Sequence, residues 1–250
     1  MNILILMTNS ATLTLSTGEK HASGFWAEEF VLPYQIFKQE GYEVDVATIG
    51  GLTPSVDKTS IDPNFMPYVR PAGSQVNDSE QAKEFIKFIE ASSDLKKPLN
   101  LDDFTKAQVA AYDGIFLSGG HGAMQDMPKS DAMTQLFRWA IELDKPIAAV
   151  CHGGSGILAL RTPEGRWPFE GYRMTCFSHE EELVTPIAGM LPFILQFEIE
   201  RLGGIYEKAN VIWGSHVVED RNLVTGQNPY SSDAVAKAFA KKLNKVKVPA

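Results

Sequence analysis

The stretch from Pro146 to Leu158 constrains the fold more than any other part of this chain. A short apolar run, Pro-Ile-Ala-Ala-Val, ends in Cys151-His152 and is followed by the glycine-rich sequence Gly-Gly-Ser-Gly. Such a pattern is typical of a buried strand that passes through a sharp turn into a helix. We therefore predict a strand–turn–helix corner, with Cys151 at the corner and its side chain exposed at the carboxyl edge of a sheet.

The same position bears on the reactivity of the Cys151 thiol. The free N–H groups and the positive dipole end at the start of a helix favour the thiolate, which is the nucleophilic form of cysteine. The alternative interpretation is that Cys151 is buried and inert, and packs as a small hydrophobic residue as most free cysteines do. The neighbouring glycines Gly153, Gly154 and Gly156 favour the reactive site, because they permit the sharp turn that it needs.

Length and composition point to one globular domain over residues 1–250. The chain is long enough to bury a large core, and 44% of its residues are hydrophobic. Its net charge of −8 comes from 31 acidic and 23 basic residues, without a basic block that could follow a phosphate backbone. We therefore expect no nucleic-acid partner.

The cysteine content and the N-terminal sequence indicate a compartment. Cys151 and Cys176 are the two cysteines of the chain, too few for a disulfide framework. The run Asn2–Met7 follows the first residue directly, without the basic region and cleavage site of a secretory signal. No apolar run approaches the ~18 residues that a membrane span needs. We expect a cytoplasmic protein without membrane contact.

Apolar runs of strand length alternate with stretches of helical periodicity along the chain. We predict strands at residues 3–7, 43–49, 112–118, 146–150, 174–177, 211–212, 216–218 and 223–226. We predict helices over residues 26–37, 130–141, 192–202 and 229–243, with a further one near 85–89. Asn228 is the predicted N-cap of the last helix, with Pro229 at its first position. This order predicts an α/β fold, a flavodoxin-like three-layer sandwich with a mostly parallel central sheet and helices on both faces.

Two segments interrupt this alternation. Residues 50–80 are rich in Gly, Pro, Ser and Asp and predict a long loop or lid, and residues 161–171 predict a turn-rich excursion that carries a hairpin. Residues 99–111 are a connector. We expect the two insertions, at about 50–80 and 161–171, to shape substrate specificity.

The first predicted helix places a carboxyl group on its apolar face. The apolar residues of this helix recur with helical spacing at Trp26, Phe30, Pro33, Tyr34 and Phe37. Glu29 shares that face, whereas Glu28 is rotated away from it. A carboxylate that faces a core is costly unless a partner receives it, so Glu29 is a candidate functional residue. The alternative is that Glu29 lies at the edge of the apolar stripe and reaches water.

A second buried strand also ends in glycines, in the sequence Gly119-Gly120-His121-Gly122. Sites in parallel α/β sheets gather at the carboxyl ends of the strands, so this loop is expected beside Cys151. Its backbone N–H groups could cradle an oxyanion. His121 is either a direct participant in the chemistry or a residue of the turn.

Three successive glutamates, Glu180, Glu181 and Glu182, follow His179. Such a run is usually the solvated start of a helix, where the dipole favours negative charge. One of the three could instead reach His152, the histidine beside the candidate nucleophile.

Four stretches of the chain together identify a family. They are Gly24–Glu29 with Pro33, Ser118–Gly122 with Asp126 and Pro128, Ala149–Gly153, and Leu223–Pro229. In their order and spacing, over nearly the whole chain, the sequence resembles the DJ-1/PfpI superfamily, and within it the Hsp31-like branch of the class I glutamine amidotransferase-like fold.

This resemblance implies roles for particular residues. The nucleophilic cysteine of the family falls on Cys151, its neighbouring histidine on His152, and the glutamate that contacts the cysteine on Glu29. The acidic third member falls on Glu182, with Glu181 as the alternative because a run of three glutamates leaves the register uncertain by one.

The resemblance also implies activities. They are the conversion of methylglyoxal to lactate without a cofactor (glyoxalase III), by a lyase of the D-lactate dehydratase type, together with protein deglycase and holding-chaperone roles, in a homodimer. Some relatives bind zinc through histidines near the first motif, where this chain has Lys38 and Glu43, so we expect no metal. The sequence Gly154-Ser155-Gly156 also departs from the proline, alanine or similar small residues that most members carry after the Cys-His-Gly motif.

The candidate residues suit that chemistry. Cys151 would add to the aldehyde of a 2-oxoaldehyde to form a hemithioacetal. Glu29, protonated at rest because burial and the nearby thiolate raise its pKa, would then act as a base. His152, oriented by Glu182, would be the second proton carrier. The loop residues expected to hold the oxyanion and the substrate are Gly119, Gly120, His121 and Gly153.

Three functional classes stay open at this point. One is a glyoxalase-type enzyme that acts on a small reactive carbonyl, and another is a redox-responsive holding chaperone in which Cys151 is a sensor. The third is a cysteine amidase or an isonitrile-hydratase-type enzyme on the same corner. A binding module without chemistry would not need an acid beside its cysteine.

Overall fold

Strand-length apolar runs form the centre of this protein, as its computed structural model shows for residues 1–158, 160–162 and 164–247. The strands of these residues are Asn2–Met7 (β1), Thr12–Thr14 (β2), Lys20–Ala22 (β3), Glu43–Thr48 (β4), Leu99–Asn100 (β5), Gly114–Leu117 (β6), Ile147–Val150 (β7), Arg173–Met174 (β8), Ile205–Tyr206 (β9), Val217–Asp220 (β10) and Leu223–Gly226 (β11). Seven of them make one sheet in the order β10-β11-β7-β6-β1-β4-β5. Every neighbouring pair is parallel except β10 and β11, which are antiparallel.

Helices cover both faces of this sheet. They are Ala27–Gln39 (α1), Asp78–Ala91 (α2), Ser93–Lys96 (α3), Lys106–Ala110 (α4), Ala123–Asp126 (α5), Asp131–Glu142 (α6), His179–Glu182 (α7), Leu195–Arg201 (α8) and Ser232–Lys247 (α9). Within the described ranges, no helix is both long enough and apolar enough to cross a lipid bilayer.

The alternation of side chains along β1 joins two separate cores. Ile3 and Ile5 point into a core that α1 and α9 close, whereas Leu4 and Leu6 point into a second core closed by α6 and α8. All four side chains are fully buried. The predicted three-layer α/β sandwich with a mostly parallel sheet is confirmed.

The structure differs from the sequence predictions at several edges. The described residues of 161–171 form turns rather than the predicted hairpin, while Pro163 lies outside the described residues. Residues 211–212 are a bend and turn rather than an edge strand. The predicted strand over 174–177 is shorter, and it pairs as β8 with β9 outside the central sheet. Residues 211–212 are exposed, whereas residues 174–177 are buried, and apolar residues in either setting do not by themselves specify the partner strand.

The segment from residue 50 to residue 77 is held to the sandwich by buried ionic contacts. It consists of loops and short 3₁₀ turns, as expected for an excursion without a core of its own. Near its end, the Arg70 guanidinium lies 2.7 Å from the Glu28 carboxylate of α1 and 3.3 Å from Asp78 of α2. Arg70 is only 6% exposed. The excursion is therefore fixed against α1 beside Glu29.

Candidate active site

Cys151 lies at the predicted corner, where β7 ends. Its backbone is in the left-handed region with φ 56°, a conformation that is costly for a residue with a side chain and that is concentrated at functional sites. Two glycines permit the corner, because a Cβ on Gly119 would lie 2.5 Å from the Val150 carbonyl oxygen and one on Gly153 would lie 2.6 Å from that of Leu117. The following segment is a 3₁₀ helix, Cys151–Ile157, rather than an α-helix. The glycine-rich sequence explains this, since glycine disfavours α-helix.

Cys151, His152 and Glu182 form a continuous series of contacts. The Sγ of Cys151 lies 3.1 Å from Nδ1 of His152, and Nε2 of His152 lies 2.6 Å from Oε1 of Glu182. His152 and Glu182 are 1% and 2% exposed. With an N–H on Nε2 bonded to the carboxylate, the Nδ1 lone pair is free to accept a proton from the thiol.

His121 joins the same carboxylate from the other side. Its Nε2 lies 3.1 Å from Oε2 of Glu182, and its ring lies 4.0 Å from the His152 ring, centroid to centroid. Two imidazoles therefore share one carboxylate.

The pKa values of His152, His121 and Glu182 are shifted in different directions. Burial lowers the pKa of His152, and the electrostatic effect of the neighbouring His121 lowers it further, to about 4. The pKa of His121 is raised, because its attraction to Glu182 outweighs the effect of burial. Burial alone would raise the pKa of Glu182, but the two imidazoles hold it at about 2. At neutral pH, Glu182 is ionised and His152 is neutral.

Glu29 faces Cys151 from α1, fully buried as the helical pattern predicted. Burial raises the pKa of this carboxyl well above its usual range, and the Glu28 carboxylate raises it further, against the opposing effect of the Cys151 thiol. Neither oxygen has a hydrogen-bond partner of ordinary geometry among the described residues. A Cβ on Gly119 would lie 2.4 Å from Oε2 of Glu29, so the carboxyl fits against the loop only because that residue is glycine.

Glu28, predicted to be rotated away from the apolar face of α1, is also buried. It is 5% exposed, and its carboxylate pairs with the Arg70 guanidinium of the 50–77 segment. The helical wheel of α1 could not show this, since the partner lies 42 positions away in the sequence.

The environment of the Cys151 thiol also corrects an expectation. The side chain was predicted to be exposed, but the residue is buried, with 3% of its surface exposed. Burial raises the pKa of the thiol well above the usual range, and the Glu29 carboxyl raises it further. The helix start alone therefore does not set the ionisation of this thiol. We infer that a neutral His152 removes the proton as the sulfur attacks.

A second correction concerns Asn228, which was predicted to be the N-cap of the last helix but makes no capping hydrogen bond with its side chain. Its Nδ2 donates to Oε1 of Glu181, at 2.7 Å, and to the Gly214 carbonyl oxygen, at 2.9 Å. The same Glu181 oxygen accepts the backbone N–H of Trp213 at 3.1 Å. Glu182 is thus the glutamate beside His152, and Glu181 holds the Trp213 segment.

A cavity of about 260 Å³ lies above Cys151. Gly120, His121 and His152 line it beside the thiol, whereas Gly119 and Gly153 are not among its lining residues. Most of its other walls are apolar, and sequence reasoning had not singled them out as functional: Trp26, Phe65, Val69, Phe177, Ile187 and Trp213. They come from five separate segments, so no local pattern could group them.

His121, His152 and Glu182 are also the group best arranged to hold a metal ion. One ligand atom from each lies within 4.8 Å of the others. Their contacts with each other and with Cys151 already account for their orientation. The absence of a metal stays a prediction, as does the absence of a cofactor.

Access to this cavity predicts the order in which the two thiols oxidise. Cys151 lines the cavity, whereas Cys176 is 1% exposed and is not among the lining residues. After mild peroxide treatment, we expect added oxygen on Cys151 before Cys176, measured by peptide mass spectrometry. Oxidation of Cys176 first would show that peroxide does not reach the cavity.

Comparisons with known proteins place this geometry in a family. The sequence model of the DJ-1/PfpI family matches residues 21–242. The protein/nucleic acid deglycase HchA of Escherichia coli is 28% identical over 248 residues, covering 96% of this chain and 80% of the relative.

Two solved structures share the fold. Glyoxalase III from Candida albicans has a TM-score of 0.76 at 24% identity, with 96% of each chain covered. The 24 kDa rapid encystment protein of Francisella tularensis has a TM-score of 0.77 at 24% identity, covering 97% of this chain and 98% of that one.

Proposed function

The chain belongs to the DJ-1/PfpI family, and from that premise we propose that it is a glutathione-independent glyoxalase of the glyoxalase III type. It would convert a 2-oxoaldehyde such as methylglyoxal to the 2-hydroxy acid without a cofactor. The observation that carries this proposal is that both the buried Glu29 carboxyl and the His152–Glu182 pair contact Cys151. Two proton carriers beside one nucleophile are what an isomerisation between adjacent carbons requires.

The first step is addition of sulfur to the aldehyde. His152 Nδ1, 3.1 Å from the thiol, takes its proton as the sulfur bonds to C1 of the substrate. The aldehyde oxygen becomes the hydroxyl of a hemithioacetal by taking the proton that the Glu29 carboxyl carries at rest, which leaves Glu29 ionised. We assign backbone N–H groups at Gly120 and His121, which line the cavity, to stabilise the oxyanion before that protonation.

The second step moves a proton from C1 to C2. With the sulfur covalently bound, the ionised Glu29 carboxylate takes the proton from C1 and the C2 carbonyl oxygen takes the proton held by His152, so that an enediol forms across C1 and C2. Glu29 then delivers its proton to C2 and accepts the proton of the C1 hydroxyl, which gives a 2-hydroxyacyl thioester on Cys151. C1 is thereby oxidised and C2 reduced within one molecule, so no external redox partner is needed.

The third step releases the product. Water attacks the thioester carbonyl, with His152 accepting its proton, and the C–S bond breaks. The 2-hydroxy acid leaves, and the thiol of Cys151 is restored. The sum is addition of one water to the 2-oxoaldehyde.

The family relatives support an enzyme but do not choose its substrate. The name of HchA, protein/nucleic acid deglycase, refers to deglycation of protein and nucleic acid. A deglycase function of this chain would use the same Cys151. Absence of a nucleic-acid partner remains our expectation from the net charge of −8. The single domain over 1–250, which includes residues outside the described ranges, the homodimer and the cytoplasmic location remain proposals.

One assay tests the proposed function directly. Pure protein is incubated with methylglyoxal without glutathione, and lactate is measured enzymatically against a protein-free control. Lactate formed in proportion to enzyme concentration supports the proposal. Absence of lactate, with uptake of client protein or amide hydrolysis instead, would favour the chaperone or amidase alternatives.

The glutamate run supplies a matched pair of variants. Glu182→Gln removes the charge that orients His152, and we expect kcat/KM to fall by about 10²-fold. Glu180→Gln, its exposed neighbour paired with Lys208, should leave kcat/KM near wild type. Equal effects of the two would contradict the assignment.

The pH dependence of stability provides a second readout of Glu182. Its pKa is about 2 in the folded protein against an ordinary 4.5. The stability it contributes is therefore present above pH 4.5 and lost as the pH falls toward about 2. The Glu182→Gln variant should lack this part of the acid destabilisation, measured by urea unfolding.

A further inference from the structure

The cavity above Cys151 is larger than methylglyoxal needs. Its volume of about 260 Å³ lies just below the ~300 Å³ at which pockets for drug-sized ligands begin. At the ~30 Å³ that each water takes in the liquid, it corresponds to about eight or nine waters. Methylglyoxal carries only a methyl group beyond its two carbonyl carbons and would fill a small part of this space.

The unfilled part of the cavity is lined mainly by aromatic and aliphatic side chains. The ring of Phe177 packs against the His152 imidazole at 4.6 Å and against Trp213 at 5.5 Å, centroid to centroid. Trp26 and Phe65 form another aromatic pair in the lining, with centroids 6.4 Å apart. Because C1 of the substrate would be fixed by the Cys151 sulfur, the substituent on C2 would extend into this apolar space.

Trp213 is held in the apolar lining of the cavity in a strained backbone conformation. Its backbone φ is 62°, a conformation that is a true outlier for a bulky residue, and its side chain is nevertheless almost fully buried. Two buried polar residues keep it there, since Glu181 accepts its backbone N–H and Asn228 donates both to Glu181 and to the carbonyl oxygen of Gly214, the next residue. Strain that the surrounding structure maintains in this way is characteristic of functional sites.

We propose that this protein acts preferentially on 2-oxoaldehydes with an aromatic or similarly large apolar substituent, and that Trp213 determines this specificity. The proposal rests on the proposed function, because it names the substrate class of the same site. Phenylglyoxal is the probe: addition of Cys151 to its aldehyde, proton transfer from C1 to C2 and hydrolysis of the thioester convert phenylglyoxal and one water to mandelate. The ring would displace water from the apolar wall, which a methyl group leaves hydrated.

The test compares kcat/KM for phenylglyoxal and for methylglyoxal, measured as mandelate and lactate. We expect a ratio of at least tenfold in favour of phenylglyoxal for the wild type. Trp213→Gly should lower this ratio by at least tenfold, and glycine adopts a positive φ freely, so the backbone is preserved. Comparing this ratio between wild type and variant also cancels the difference in intrinsic reactivity between the two aldehydes.

The control is Phe197→Ala, which removes a 45% exposed ring of α8 whose ring contact is with His179, both residues lying outside the cavity lining. Its ratio should equal that of the wild type. A wild-type ratio of one or less, or a ratio unchanged in Trp213→Gly, would overturn the proposal while leaving the glyoxalase function intact.

A binding measurement separates the two possible failures. If neither aldehyde is turned over, the proposed function is wrong, and the thermal shift produced by mandelate and by lactate then tests the cavity alone. A larger rise in Tm with mandelate, lost in Trp213→Gly, supports the specificity. Equal shifts, or none with either acid, would refute it.

Discussion

Cys151→Ala should reduce turnover of the 2-oxoaldehyde by about 10⁴-fold or more, as expected when a covalent nucleophile is removed. No other described thiol can replace it, because Cys176 is buried and is not among the cavity-lining residues. The measurement is product formation at saturating substrate, with circular dichroism to show that the fold persists. The small residue should be accepted, although its positive φ strains alanine as it does cysteine.

Cys176→Ala is the matched control for this prediction. It removes the other buried thiol, whose Sγ contacts the Phe177 carbonyl oxygen at 3.4 Å. We expect a modest loss of stability, about 1 kcal/mol, and turnover within a few-fold of wild type. Comparable losses of activity in the two variants would show that Cys151 is not the nucleophile.

Glu29→Gln should lower turnover by about 10²–10⁴-fold, the range typical of losing a general base. The amide keeps the shape of the carboxyl and can still donate to sulfur, so addition of the thiol to substrate should survive. A covalent adduct that accumulates, detected by intact-protein mass spectrometry, would mark the block at proton transfer. Normal turnover would refute the role assigned to Glu29.

The same variant should be more stable than wild type, by an amount that depends on pH. Because the pKa of Glu29 is raised in the folded protein, the unfolded chain releases its proton first as the pH rises above about 4.5. Wild-type stability then falls relative to Glu29→Gln by up to about 1.4 kcal/mol per pH unit until the folded pKa is passed. Urea unfolding from pH 4 to pH 8 measures this difference.

The control for Glu29→Gln has to come from the solvated part of the chain. Glu28 is unsuitable, because its carboxylate is paired with the buried Arg70, and removing it would leave that cation with the Asp78 carboxylate at 3.3 Å and without its shorter contact. Glu40→Gln, exposed at the end of α1, should change neither turnover nor the pH dependence of stability.

Much of the architecture was predictable because it depends on short-range periodicity. β1, β6, β7 and β11 are fully or almost fully apolar and buried on both faces, which makes each one visible as a run in the sequence. The position of Glu29 on the buried face of α1 follows in the same way from helical spacing. The corner at Cys151 was visible because glycines must accompany it.

What the sequence did not disclose depends on contacts between distant segments. The burial of Cys151 and Glu28, the pairing of β8 with β9 and the apolar wall around Trp213 each require knowledge of which segments meet. Choosing between Glu181 and Glu182 was of this kind as well. One position along a helical turn rotates a side chain by about 100°, and the family pattern alone left the register open by that amount.

The glutamate run has a consequence for how this protein can diverge. Its three carboxylates have unrelated surroundings: Glu180 reaches a surface lysine, Glu181 supports the cavity wall and Glu182 orients the imidazoles. Deleting or inserting one residue in this turn would keep the acidic composition but would move each glutamate to the position of its neighbour. The number of residues between Ser178 and Glu182 is thus constrained by two separate demands, the support of the cavity wall by Glu181 and the orientation of His152 by Glu182.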